Sequence, residues 1–149
     1  MREESRPTIQ EEQDEFVETF NQIGDWMLQY DCLLELTADM EPLRERERTE
    51  CNMVTDCQTR LWLVMEECDG MVRLRADSEA LIVKGIVGII VALLDRRSPA
   101  EILAADLDFL DRTGLSAQLS VDRTQSIRRL LGRIRAFAQT RQTELSFLK

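Results

Sequence analysis

One segment of the chain is apolar on every face of a helix, and this segment limits the folds that the sequence can adopt. Leu81 to Leu94 carries a single charged residue, Lys84. A helix with so little polar surface must be covered on all sides, so we expect it at the centre of the fold. It is shorter than the roughly 20 residues that cross a bilayer, and this length predicts a core helix.

Two further helices are predicted ahead of this segment. Their apolar positions are Phe16, Phe20 and Ile23, followed by Trp26, Met27, Tyr30, Leu33 and Leu34. The first spacing begins at Glu12 and ends at Gly24, a natural helix stop, and Asp25 can cap the second helix. Pro42 and the charged run at 44–50 have no apolar period, which predicts an exposed connector.

The pattern then changes from helical to extended. Residues 52–55 are a short extended segment and residues 61–65 a continuous apolar run. Asp69-Gly70 is a hairpin signal, and residues 72–76 alternate apolar and basic side chains. This pattern predicts a small three-stranded antiparallel sheet. Cys57 then falls in the loop between the first two strands.

The remaining sequence predicts three helices. Asp77-Ser78 can cap the central helix, and Ser98 to Glu101 forms a capping box whose helix would end at Gly114. Ser120 can start the last helix. Its apolar stripe is Ile127, Leu130, Leu131, Ile134 and Phe137. We therefore predict one α+β domain over residues 1–149, with two helices, three strands and three helices, and with the central helix covering the apolar sheet face.

Charge excludes some classes of partner. The net charge is -9, and residues 1–50 alone carry 15 acidic and 5 basic residues. No basic run is interleaved with aromatic residues, so we expect no nucleic-acid partner. The acidic third could attract a basic protein, or could simply be solvated helix surface. The charged amino terminus, Met1 to Glu18, lacks an apolar stretch, so we expect a cytoplasmic protein that does not enter membranes.

The cysteines carry the most interesting chemistry. The chain has four of them, Cys32, Cys51, Cys57 and Cys68, with no histidine and no CxxC pair. A typical zinc site or a Cys-His catalytic pair is therefore not expected, and no glycine-rich phosphate loop is present. Only Cys57 lies in a loop flanked by strands, and this position distinguishes it from the other three.

The residues around Cys57 resemble the SufE family of sulfur-acceptor proteins, which work beside cysteine desulfurases in iron–sulfur cluster assembly. The family pattern is an Asn followed by Gly-Cys-x-Ser-x-Val-Trp, and Asn52, Cys57 and Trp62 match it. Further segments that resemble the family are Asp77-Ser78, Ile82 to Gly85, Ser98 to Ile102 and Leu115 to Arg123. The resemblance extends from about Phe16 to Phe137.

Several departures from the family pattern lie near Cys57. Asp56 replaces the usual Gly, Thr59 replaces Ser, and Leu61 replaces Val. Further along the chain, Ser126 replaces a Gly. A carboxylate at position 56 disfavours the thiolate form of a neighbouring cysteine, while Arg60 could offset this effect if its side chain turns toward the sulfur.

The resemblance implies a role in sulfur transfer. Cys57 would accept persulfide sulfur from a cysteine desulfurase, stimulate that enzyme, and pass the sulfur to an iron–sulfur scaffold protein. Asp77 and Arg123 match positions linked with docking and loop control, and Asp56 and Arg60 flank the thiol. Pyridoxal phosphate would belong to the partner, and this chain would carry no cofactor or metal beyond a covalent persulfide.

Two alternatives remain open from the residues. The chain could be a metal or iron–sulfur scaffold of the IscU-like fold that uses several cysteines. It could also be an adaptor that regulates a desulfurase without chemistry of its own. We expect a monomer or a weak homodimer.

Overall fold

A computed structural model describes residues 6–55 and 60–147. Six α-helices and three strands make up this part of the chain. The helices are α1 (Ile9–Ile23), α2 (Trp26–Ala38), α3 (Leu81–Leu94), α4 (Pro99–Ala104), α5 (Phe109–Arg112) and α6 (Val121–Phe147). The strands are β1 (Met53–Thr55), β2 (Leu61–Cys68) and β3 (Met71–Ser78). The predicted α+β class is confirmed.

The sheet is an antiparallel meander in the order β1-β2-β3. Strands β2 and β3 pair along their whole length, from Leu61 opposite Ser78 to Cys68 opposite Met71. Asp69 and Gly70 join them with φ of 56° and 80°, so the predicted hairpin turn is confirmed. Because side chains alternate along a strand, one face of the sheet is apolar and buried while the other carries polar side chains.

Helix α3 packs against the apolar face of the sheet and lies at the centre of the core, as its composition predicts. Helix α2 packs on its other side at very short range. A Cβ added at Gly85 would lie 3.0 Å from the Cβ of Leu33, and one added at Gly88 would lie 3.1 Å from the sulfur of Met40. The two glycines therefore allow α2 and α3 to approach each other closely.

Several predicted helix ends are confirmed. Gly24 ends α1 with a φ of 72°, and the Asp25 carboxylate accepts a hydrogen bond from the Met27 N–H at 2.9 Å. Ser98 and Glu101 form the predicted capping box of α4. No helix within the described residues is long and apolar enough to cross a membrane.

The predicted cap at Asp77-Ser78 is wrong. Both residues belong to β3, where Asp77 pairs with Trp62. Helix α3 instead starts after Ala80, which makes no side-chain capping hydrogen bond. Asp and Ser suit both a strand end and a helix start, and the register with β2 decides between these in favour of the strand.

The single helix predicted from Ser98 to Gly114 is also wrong, because it breaks between α4 and α5. The buried side chain of Gln13 fills the gap. It donates to the carbonyl of Asp106 at 3.0 Å and accepts from the N–H groups of Asp108 and Phe109 at 2.8 and 2.9 Å. These bonds replace the ones that a continuous helix would make with itself.

The segment at 44–50 is not a plain exposed connector. It contains a short 3-10 turn, Glu45–Glu47, that lies against the polar face of the sheet. The Glu47 carboxylate accepts two hydrogen bonds from the Arg75 guanidinium, at 2.8 and 2.5 Å. Arg75 holds the pKa of Glu47 down at about 2, with help from the Arg44 N–H. The segment is thus fastened to β3.

Candidate functional site

The candidate site is the connection between β1 and β2, which carries Cys57 in the sequence. Cys57 and Asp56 lie outside the described residues, whereas both ends of the connection are described. Thr55, the last residue of β1, pairs with Leu61. The ladder is irregular between Met53 and Thr55, so β1 deviates from regular pairing just before the connection.

Arg60 lies at the β2 end of the connection and is tied to the end of β3. Its carbonyl accepts hydrogen bonds from the Glu79 N–H at 3.1 Å and from the Ser78 hydroxyl at 3.0 Å. Its guanidinium lies 3.8 Å from the Glu79 carboxylate, and both side chains are more than half exposed. The positive charge of Arg60 therefore already has an acidic neighbour.

Asp77 immediately precedes Ser78 on β3 and forms a charged cluster with Arg48 and Lys84. Its carboxylate accepts from Arg48 at 2.5 Å and from the Ser78 N–H at 2.8 Å, and it pairs with Lys84 at 3.2 Å. Burial alone would raise the pKa of Asp77, but the hydrogen bonds from Arg48 and Lys84 and from the backbone outweigh burial and lower it. Asp77 is therefore a buried anion that links β3 to α3 and to the segment before β1.

The Arg48 guanidinium also lies 5.0 Å from the centre of the Trp62 ring, in a cation–π contact. Trp62 pairs with Asp77 across β2 and β3, so both side chains lie on the polar face of the sheet. Trp62 is nevertheless only 5% exposed. Trp62 is thus a buried strand residue that lies beneath Arg48, on the face opposite the central helix.

Arg123 lies in the first turn of α6, as expected from the sequence. Its backbone N–H bonds to the Ser120 hydroxyl at 3.2 Å, so Ser120 caps the helix, and its side chain is half buried. Helix α6 contacts both β1 and β2. The structure thus brings Arg60 and Asp77 to the same end of the sheet. No hydrogen bond or ion pair among the described residues joins Arg123 to either of them.

The other cysteines differ from one another in exposure. Cys51 and Cys68 are exposed free thiols, and Cys32 is a half-buried one. Burial, and then the nearby Glu35 carboxylate, raise the pKa of Cys32, which makes it a poor nucleophile. Within residues 6–55 and 60–147, no three or more His, Cys, Asp or Glu side chains come together as metal ligands would.

Sequence reasoning missed Arg48 and Lys84 as members of this cluster. The sequence does contain a pattern that could have predicted the contact of Arg48. Arg73, Arg75 and Asp77 occupy alternate positions of β3, so three charges project from the same sheet face. Such a row needs partners of opposite sign. The alternating acids and bases at 44–50 supply two of them, Glu47 and Arg48.

Together the fold and the site define a class: a small α+β protein whose three-stranded meander is backed by a buried helix, with a cysteine-bearing connection braced at its base. Comparison with known families agrees with this class. The model of SufE, described as an Fe-S metabolism associated domain, matches residues 14–138. The chain belongs to the SufE family and is thereby associated with iron–sulfur metabolism.

A solved structure is similar over most of the chain. It is the solution structure of a hypothetical protein from Thermus thermophilus, 25% identical in sequence with a TM-score of 0.72. The match covers 88% of this chain and 96% of the Thermus protein. Its fold therefore supports the order of helices and strands described above.

Proposed function

We propose that this chain is a sulfur-transfer protein that accepts persulfide sulfur on Cys57 from a cysteine desulfurase and delivers it to iron–sulfur cluster assembly. The observation that carries the proposal is the family match across residues 14–138, a range that includes Cys57. The resemblance of the residues around Cys57 to the family pattern supports the choice of this cysteine. Neither metal nor nucleotide takes part in this reaction on the chain itself.

The reaction is a thiol–disulfide type of exchange. The Cys57 thiolate attacks the terminal sulfur of a persulfide held on the desulfurase cysteine. A new S–S bond forms to Cys57 as the old one breaks, and the electron pair leaves with the desulfurase cysteine, which becomes a thiolate. Sulfur changes carrier without net oxidation or reduction. The desulfurase, with its pyridoxal phosphate, releases the sulfur from cysteine beforehand.

The described residues support this role by what they do at the ends of the connection. Arg60 is bonded to Ser78 and Glu79 at one end, and the cluster of Asp77, Arg48 and Lys84 lies just behind it. A loop with anchored ends loses less conformational freedom when a partner binds it than a loop with loose ends does. We propose that Asp77 and Arg60 act in this way, and that Asp56 and Arg123 influence the loop and the docking of the partner.

Replacing Cys57 tests the proposal against the adaptor alternative. Steady-state alanine production by a cysteine desulfurase is measured with wild-type protein, with Cys57→Ser, and with Cys51→Ser as a matched control. The proposal expects stimulation by wild type and Cys51→Ser, and none by Cys57→Ser. Equal stimulation by Cys57→Ser would show that the chain works as an adaptor. A visible absorbance band or bound metal in purified protein would instead favour the scaffold alternative.

A further inference from the structure

In the segment before β1, the Arg48 side chain contacts two residues of the sheet at once. Arg48 has a carboxylate on one side and an aromatic ring on the other: Asp77 at 2.5 Å and the centre of the Trp62 ring at 5.0 Å. Trp62 and Asp77 are direct cross-strand neighbours, one residue in from the end of the β2–β3 ladder at Leu61 and Ser78. Arg48 therefore bridges β2 and β3 at the end of the sheet where the β1–β2 connection joins β2.

The residues on either side of Arg48 hold the path into β1. The next contacts along the segment are a hydrogen bond from the Asn52 side chain to the Glu47 carbonyl at 2.8 Å and one from the Leu63 N–H to the Asn52 carbonyl, also at 2.8 Å. Met53 then pairs with Trp62. Arg48 therefore contacts β1 indirectly, through the Trp62 ring, because Trp62 is the cross-strand neighbour of Met53.

We infer that Arg48 is a positioning residue for sulfur transfer, acting on Cys57 through Trp62, Asp77 and the ends of β1 and β2. This inference rests on the proposed function. Transfer between two proteins requires the attacking thiol to meet a persulfide at a defined place and angle, and small misplacements of reacting groups lower rates strongly. A small alkylating reagent has no such requirement, because it reacts without a docked partner and can approach a thiol from many directions.

Arginine is required here for a geometric reason. Its planar guanidinium can lie on the Trp62 ring and still donate an in-plane hydrogen bond to Asp77. A lysine ammonium carries the same charge but has no flat surface for stacking. Arg48→Lys should therefore keep the ion pair and lose much of the positioning, whereas a purely electrostatic role would survive this substitution.

The experiment measures transfer and thiol reactivity on the same proteins. Single-turnover transfer of persulfide sulfur from a loaded desulfurase to Cys57 is followed with increasing amounts of wild type, Arg48→Gln and Arg48→Lys. Glu47→Gln is the matched control, since it weakens the neighbouring tie to Arg75 but leaves the Arg48 contacts in place. The rate of Cys57 alkylation by iodoacetamide is measured in parallel. All measurements are made at a temperature at which circular dichroism shows every variant folded.

A second measurement reports on Arg48 itself. In a Trp26→Phe background, Trp62 is the sole tryptophan, and its quenching by acrylamide reports how well its ring is covered. We expect Arg48→Gln to increase this quenching and Glu47→Gln to leave it unchanged. If Arg48→Gln does not fold, Arg48→Lys alone carries both measurements, since it retains the charge facing Asp77.

The inference expects Arg48→Gln and Arg48→Lys to transfer sulfur about tenfold more slowly at saturating protein, with alkylation of Cys57 unchanged, while Glu47→Gln matches wild type. Wild-type transfer rates in both Arg48 variants would overturn the inference and leave the proposed function standing. A parallel loss in Glu47→Gln would also overturn it, because the effect would then be general loosening of the segment. If wild type itself takes up no sulfur on Cys57, the proposed function fails and the inference fails with it.

Discussion

Replacing Asp77 with Asn tests how much the charged cluster contributes to stability. Asn has nearly the same shape and can still accept from the Ser78 N–H, but it loses the charge that faces Arg48 and Lys84. Removing one partner of a fully buried pair costs about 3–5 kcal/mol, and fully exposed pairs contribute at most about 1 kcal/mol. The Arg48 and Lys84 side chains are 28% and 29% exposed, which places this cluster between the two limits.

We therefore expect Asp77→Asn to lower the free energy of unfolding by about 2 kcal/mol. For a chain of this length, that loss corresponds to a fall in Tm of about 4–8 °C. Urea unfolding followed by tryptophan fluorescence measures the free energy without adding salt that would screen the charges. Asp31→Asn, which changes an exposed carboxylate on α2, is the control and should match wild type.

The pH dependence of this difference has a definite sign. The folded-state pKa of Asp77 is lower than its ordinary value, so its charge stabilises the fold above about pH 4, and the stabilisation is lost as the pH falls through the folded-state pKa. Asn does not titrate. The gap between wild type and Asp77→Asn should therefore be complete at pH 7 and shrink toward pH 3. Equal stabilities at pH 7, or the same gap at both pH values, would refute the reasoning.

Two further predictions concern packing within the fold. Gly85→Ala should destabilise the protein by about 1–3 kcal/mol in urea unfolding, because the added Cβ would meet Leu33. Gly132→Ala is the contrasting change: its Cβ would have no neighbouring atom within 4 Å beyond its own stretch of helix, so it should raise stability by up to about 1 kcal/mol. A stable Gly85→Ala protein would contradict the close approach of α2 and α3. Gln13→Ala should cost about 2 kcal/mol, since it leaves buried N–H groups such as that of Phe109 unpaired, and amide hydrogen exchange in α5 should accelerate. Unchanged hydrogen exchange in α5 would show that Gln13 does not stabilise the break between α4 and α5.

The sequence predicted the parts of the fold that depend on local pattern. The central position of α3 follows from its composition alone, and the β2–β3 hairpin follows from alternation and from Asp69-Gly70. The break between α4 and α5 could not be seen in this way, because Gln13 makes its bonds to Phe109 across 96 positions of the chain. Such a contact changes a helix without leaving a local signal.

The candidate site was predictable to a similar extent. The choice of Cys57 from the family pattern stays a prediction. The strands on either side of position 57 were predicted, but the charged cluster beside the connection was not. Arg48 and Asp77 are 29 positions apart, and their contact depends on how the segment before β1 crosses the sheet. The sequence around Asp77 wrongly predicts a helix cap, because aspartate suits both a helix start and a strand end. Only the pairing with Trp62 shows that it belongs to the strand and faces Arg48.

Locating the transferred sulfur tests the central claim most directly. The protein is incubated anaerobically with a cysteine desulfurase and cysteine, the free thiols are blocked, and the peptides carrying Cys32, Cys51, Cys57 and Cys68 are compared by mass spectrometry. We predict one additional sulfur atom on the Cys57 peptide, removable by a thiol reductant, and none on the other three. Sulfur on another cysteine, or on none, would contradict the proposal that Cys57 is the carrier.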